Sequence, residues 1–227
     1  MSIFDRTISL IGKECLEKLK DSHVAVFGLG GVGGSCVEAL VRCGIGKLTI
    51  IDSDKVDETN INRQIIATLD TVGQYKVDAM KSRIESINQE CDITVFRKFV
   101  LPEEIDFFDF TKVDYVVDAI DTVSAKLAII ETAKTFNRRV ISAMGAGNKL
   151  HPEMFFVDDI SKTSVCPLAR VMRRELAKRG ISDVKCVYSK EPVAKGVGRV
   201  PACVSFVPPV AGFIMAGEVI RDLAGIK

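Results

Sequence analysis

At 227 residues the chain is long enough to bury one large α/β core, and we read residues 1–227 as a single domain. Lys and Arg total 31 against 30 for Asp and Glu, so the charge of the whole chain selects no class of partner. The seven cysteines are odd in number and never spaced CxxC, which argues against a disulfide framework and for a reducing compartment.

Residues 4–10 lead into a helix over about 13–20 that keeps Cys15, Leu16 and Leu19 on its apolar side. HVAVFG, from His23, reads as a short buried strand, because Val24, Val26 and Phe27 favour β structure with no charge between them. GLGGVG follows without a gap. A helix over about 34–43 then places Val37, Leu40 and Val41 on one face and stops at Gly44. Residues 47–51 form a second strand that delivers Asp52, and a turn-rich stretch carries Asn60-Ile61-Asn62-Arg63-Gln64. A helix is predicted over 74–88, with Val77, Met80, Ile84 and Ile87 at helical spacing. Strands follow over 92–99, 113–117 and 140–143, with a helix over 124–136. Residues 154–157 and 184–188 look like added strands flanking a helix over 167–178, and 206–223 is an apolar segment whose Gly212 and Gly217 permit close packing. The alternation predicts an α/β fold: a doubly wound, mostly parallel, Rossmann-like sheet with added C-terminal strands and helices. No charged and apolar leader opens the chain, and the longest apolar run, 204–216, is short for a span and broken by Pro208-Pro209. No membrane span and a cytoplasmic location are expected.

The first strand, glycine loop and helix have the order of a nucleotide-binding turn. Gly28, Gly30 and Gly33 have its spacing, and their missing side chains let backbone N–H groups and a helix N-terminus reach a phosphate. Asp52, about twenty residues past the last glycine, can hydrogen-bond a ribose hydroxyl. Such a loop alone most often marks a dinucleotide cofactor, so a nicotinamide-dependent oxidoreductase is one reading. Asn60, Arg63 and Lys76 shift it: three polar groups suited to phosphate oxygens imply a triphosphate under attack, and hydride transfer needs no such clamp. Lys76 opens its helix, where a cation opposes the dipole, so either a bound anion or plain solvation accounts for it. Asp118 and Asp121 follow the fourth strand at its carboxyl end, where open α/β sheets place their ligands, although one of them could simply cap a helix. Read alone, Arg6 is a surface arginine near a terminus. His23 and His151 have no neighbours that suggest catalysis or metal.

Charge is unevenly spread along the chain. Residues 161–200 carry ten basic side chains against three acidic ones, a balance of +7, which leaves −6 on the first 160 residues. A basic segment on an acidic body suits a polyanionic substrate. Within it Arg170, Arg173, Arg174 and Lys178 recur at i, i+3, i+4 and i+8 along one helical face, which a solvated surface would equally explain. The loop over 190–199, rich in Gly and Lys, is a candidate mobile crossover over the site.

These residues resemble a known family, the adenylating enzymes related to the molybdopterin-synthase and ThiS adenylyltransferases and to the ubiquitin-activating enzymes. GLGGVG, Asp52, the NxxRQ run from Asn60, the GQYK run ending in Lys76 and DAIDT from Asp118 stand in the family's order over nearly the whole chain. The resemblance implies ATP-dependent activation of a carboxylate as an acyl-adenylate, with Mg²⁺, on a homodimer. It assigns the nucleotide to Gly28, Gly30, Gly31, Gly33, Asp52, Asp54, Asn60, Arg63, Gln64, Lys76 and Asp121, with Asp121 also on the metal. It gives catalytic roles to Arg63, Lys76, Asp121 and Arg6, the last reaching the triphosphate from the partner subunit in some members.

Members that activate ubiquitin-like sulfur carriers commonly hold a four-cysteine zinc built from two CxxC pairs, which this chain lacks. Its length and CPLARVMRRELAKRG, from Cys166, look instead like the tRNA threonylcarbamoyladenosine dehydratase branch. That branch adenylates the carboxylate of a threonylcarbamoyl group on the adenosine beside the anticodon, and an internal nitrogen displaces AMP to close a ring. The resemblance thus implies tRNA as partner and the basic helix as its contact, with a sulfur-relay helper protein as a further candidate. Cys166 departs from the acidic residue expected at its place. Cys186 and Cys203 could form a thioester in the sulfur-carrier reading, against the commoner role of small buried cysteines as core.

Overall fold

The computed structural model describes residues 2–193 and 201–226. Its centre is one seven-stranded sheet of β1 (His23–Phe27), β2 (Lys47–Ile51), β3 (Asp92–Phe96), β4 (Tyr115–Asp118), β5 (Arg139–Ala143), β6 (Phe155–Asp159) and β7 (Lys185–Ser189), in the order β3-β2-β1-β4-β5-β7-β6. Every neighbouring pair is parallel except β6 with β7, which is antiparallel and places β6 at one edge. The helices are α1 (Asp5–Ile11), α2 (Lys13–Asp21), α3 (Gly31–Arg42), α4 (Lys76–Ile87), α5 (Val123–Thr135), α6 (Pro167–Lys178) and α7 (Pro208–Ala224).

Why the strands read as apolar runs is plain from where their side chains go. Val24 and Val26 of β1, Leu48 and Ile50 of β2, Tyr115 and Val117 of β4 and Ile141 of β5 enter one core, shared with α3, α4 and α7. The residues between them, Ala25, Phe27, Ile51, Val116 and Val140, enter a second core shared with α5, α6 and Phe108 and Phe110. A sheet covered on both faces cannot alternate apolar with polar, so the period-two signal vanishes into continuous burial.

Two elements differ from expectation. Helix α1 occupies the stretch read as a lead-in; its seven residues bury no side chain, so no apolar period marked it. Helix α3 begins at Gly31, three residues before the predicted start, because the second half of the glycine loop is already helical. Glycine's poor helix propensity hid that turn. The loop expected over 190–199 falls outside the described residues from 194 onward.

Helix α7 lies directly on α3. Gly212 makes the approach possible, since a β-carbon there would stand 2.2 Å from Val32 O and 2.9 Å from the Cys36 nitrogen. At its far end Tyr115 donates a 2.7 Å hydrogen bond to Asp222 Oδ2, and Lys185 Nζ pairs with the same carboxylate at 2.7 Å, docking α7 to the starts of β4 and β7. No helix among the described residues is long and apolar enough to cross a membrane.

Gly212→Ala is therefore expected to cost about 3 kcal/mol, or roughly 6–12 °C of melting temperature. Gly217→Ala, whose new β-carbon would meet only the flexible end of Arg221 at 3.4 Å, should be neutral or slightly stabilising in the same thermal melt.

Candidate nucleotide-binding site

Sheet order reverses between β1 and β4, and the crevice beyond their carboxyl ends is where such sheets hold ligands. The two strands are in register to their ends, Phe27 opposite Asp118, and Ala119 N–H donates to Phe27 O at 2.8 Å. Gly28 follows with φ +90, and a β-carbon on it would lie 2.8 Å from Ala119 O. Glycine alone satisfies both the backbone angle and the approach. A β-carbon at Gly33 would sit 1.8 Å from Gly28 O, so Gly33 seats α3 on the turn, whereas at Gly30 it would meet nothing within 4 Å. Gly30 thus faces the open space that a phosphate would need, and Gly33 does not line the cavity.

That cavity, about 400 Å³, gathers Gly28, Gly30, Gly31, Asp52, Asp54, Asn60, Arg63, Gln64, Lys76 and Asp121 from five separate stretches of chain. Asp52 leaves β2 and locks the loop: Oδ2 accepts from Leu29 N–H at 2.7 Å and Oδ1 from Asp54 N–H at 2.8 Å. Its oxygens retain lone pairs for a further donor. Burial pushes the Asp52 carboxyl up, against Lys76 and the two amides.

Residues 55–75 are an excursion closed at its base, where Val56 N–H donates to Gln74 O and Gly73 N–H to Val56 O, both near 2.9 Å. Within it a 3-10 turn, Glu58–Asn60, is capped by Asp57, with Asn60 Oδ1 accepting from Asp57 N–H at 3.2 Å. One turn later Arg63 is folded back, Nη1 donating to Thr59 O and Asn62 Oδ1 at 2.8 Å each. Lys76, nearly buried at the start of α4, pairs through Nζ with Asp54 Oδ2 at 2.7 Å. Gln64 is buried, and its Oε1 has no hydrogen-bond partner, a cost that a ligand's donor in this cavity would remove.

Asp121 stands at the rim, exposed, and among the described residues its one side-chain hydrogen-bond partner is the Thr122 hydroxyl at 3.4 Å. Asp118 does something else: it is fully buried and pairs with Lys126 Nζ at 2.8 Å rather than capping α5. Lys98 and Phe99 also line the cavity, directly beyond the end of β3, as do Cys203 and Pro208. The strand-end rule could have found the first two; the sequence marks Cys203 only as a thioester candidate in the sulfur-carrier reading, and nothing local points to Pro208.

Two expectations look different in space. Arg6 is exposed on α1 and does not line the cavity of its own chain. Phe4, just before it, packs against Gly44 beyond the far end of α3, a helix of 12 residues and so about 18 Å from the glycine loop. The basic face of α6 is also partly spent. Arg173 donates to Thr163 O and Oγ1 at 2.7 and 2.8 Å, and Arg174, Lys178 and Arg179 all pair with Glu175. Arg170 is exposed and enters no side-chain bond among the described residues.

Burial opposes ionisation at both candidate thiols. Burial pushes Cys186 up to about 12, and burial raises Cys203, with Arg63 opposing. Cys166 is buried at the start of α6, makes no capping bond and packs near Gly145.

Known proteins resemble this chain in sequence and in fold. A tRNA threonylcarbamoyladenosine dehydratase of Bacillus subtilis is 44% identical over 97% of this chain and 94% of its own. The Escherichia coli tRNA N6-threonylcarbamoyladenosine dehydratase, solved in complex with ATP, superposes with a TM-score of 0.92 at 35% identity, covering 98% of this chain and 93% of that one. An adenylyltransferase and sulfurtransferase of Vanderwaltozyma polyspora is 32% identical over 58% of this chain and 30% of its own. The ThiF family profile matches residues 4–227, and with it the chain is placed as a member of the ThiF family.

Proposed function

We propose that this protein is an ATP-dependent tRNA threonylcarbamoyladenosine dehydratase. The observation that carries the reading is the convergence of the glycine loop, Asp52, Arg63, Lys76 and Asp121 on one cavity, in a chain whose relative solved with ATP has the same fold over 98% of it. A carboxylate becomes electrophilic only when its oxygen can leave as AMP. The substrate's carboxylate oxygen attacks the α-phosphorus and pyrophosphate departs; an internal nitrogen then attacks the acyl carbon, AMP leaves, and the nitrogen gives up its proton. Arg63 and Lys76 offset charge that builds on the phosphates. A nucleophile inside the substrate needs no enzyme thiol, in keeping with the raised Cys186 and Cys203.

Mg²⁺ fits this site beside Asp121, the exposed carboxylate at the rim. Among the described residues no three His, Cys, Asp or Glu side chains are grouped to hold a metal, so phosphate oxygens would complete its shell. Bound there, the ion would neutralise phosphate charge. Arg6, remote from its own cavity, would serve the site of a second copy in a homodimer. The tRNA would lie along the rim toward Arg170, because α6 starts beside Gly145, in the loop that also carries the cavity residues Ala146 and Gly147.

With ATP, Mg²⁺ and modified tRNA, the nucleoside should lose the mass of one water as AMP appears; AMP formation indifferent to tRNA would count against the reading. Pyrophosphate exchange driven by a small protein ending in diglycine would favour sulfur-carrier activation instead. Arg63→Ala should lower kcat by about 10²–10³ with the melting temperature kept. If about four phosphates are contacted, tRNA affinity should fall roughly a hundredfold between 50 and 200 mM salt. Arg170→Glu should weaken tRNA binding without loss of stability, whereas Arg173→Ala should lower the melting temperature, since Arg173 is bonded to Thr163.

A further inference from the structure

Beneath the rim lies a pair that the chemistry above does not use. Asp118 and Lys126 are both fully buried, joined Oδ2 to Nζ at 2.8 Å, and the Ser142 hydroxyl donates to the same Oδ2 at 2.6 Å. Replacing such a pair by apolar side chains is often neutral or better for stability, so its presence asks for another reason. The remaining bonds of the pair supply one. Lys126 Nζ donates to Ile120 O at 3.2 Å, and Asp118 Oδ1 accepts from Ile120 N–H at 3.4 Å. Both polar groups of one peptide residue are thereby held by two charges that have nowhere else to go.

Ile120 sits between two parts of the site. Its Cγ2 lies 3.0 Å from where a β-carbon of Gly28 would be, and the next residue is Asp121. Ala119, Ile120 and Asp121 all line the cavity.

We propose that Lys126, through Asp118 and the backbone of Ile120, is a positioning residue that sets where Asp121 and the glycine turn meet the nucleotide. The inference rests on the nucleotide reading above for its kinetic consequence, but not for its structural one. Charge buried at this depth is rigid: Lys126 cannot leave without stranding Asp118, and neither can shift without moving Ile120. A rim loop with a pinned backbone presents its carboxylate in one place before the nucleotide arrives, and about one ångström of misplacement can cost a hundredfold in rate.

The test separates positioning from stability. Lys126→Met alone should be strongly destabilised, because it leaves an unpaired buried carboxylate. The double variant Asp118→Leu with Lys126→Met should recover most of the melting temperature. It should nevertheless show faster hydrogen–deuterium exchange over residues 119–122, unchanged exchange in β1 and β2, and a kcat lowered about a hundredfold, with a smaller change in KM for ATP. Ser142→Ala, which keeps both charges, should move exchange and kcat the same way by several-fold and serves if the double variant does not fold. Parental exchange over 119–122 and parental kcat in either folded variant would overturn the proposal. If the parent protein neither binds ATP by calorimetry nor dehydrates modified tRNA, the functional reading fails, and the exchange comparison still decides whether Lys126 positions the loop.

Discussion

The close contact of Gly28 with Ala119 is the constraint on which the rest of the site depends. Parallel strands β1 and β4 pair to their last residues and then have to part, one toward α3 and the other toward α5. At that point two backbones lie nearer than any side chain allows, with 2.8 Å between a would-be β-carbon and a carbonyl oxygen. The first turn of α3 then rests on Gly28 through Gly33, and its residues Gly31 and Val32 line the cavity. A larger residue at either glycine would push apart the two halves of the crevice that a nucleotide would bridge.

Around that contact the polar groups are arranged before any ligand arrives. Arg63 is held by a carbonyl and an amide oxygen, Lys76 by Asp54, and Asp52 by two backbone amides. Each cation is thus held in the folded protein by partners whose place phosphate oxygens would take, so Arg63 and Lys76 stay hydrogen-bonded until a triphosphate rivals or displaces those partners. The excursion over 55–75 makes this possible, closing at its own base so that Arg63 returns to the mouth of the loop it left.

The basic segment shows how far charge in sequence can differ from charge on a surface. Ten cations in forty residues suggested a stripe. In space Glu175 collects three of them, Thr163 takes Arg173, and Lys185 is committed to Asp222 and Glu218 under the sheet. The cations left without a side-chain partner are fewer than the sequence count suggests, and Arg170, near the cavity end of α6, is exposed and enters no side-chain bond among the described residues.

The sequence by itself determined the glycine turn between β1 and α3, the acid at the end of β2 and the chain order of Asn60, Arg63, Lys76 and Asp121, because strand formers, glycine spacing and strand-end carboxylates are local signals. It likewise settled the doubly wound class, since apolar runs alternating with amphipathic helices admit few other packings. Only the tertiary structure decided that Pro208 and Cys203, more than a hundred residues from the glycine loop, would wall the same cavity, that Arg6 would stand away from it, and that Lys126 would be sunk against Asp118. A lysine amid the apolar residues of α5 carries no mark of its depth. Its burial follows from β5 supplying Ser142 and β4 supplying Asp118 at one level of the sheet, and such long-range pairing leaves no trace in local spacing.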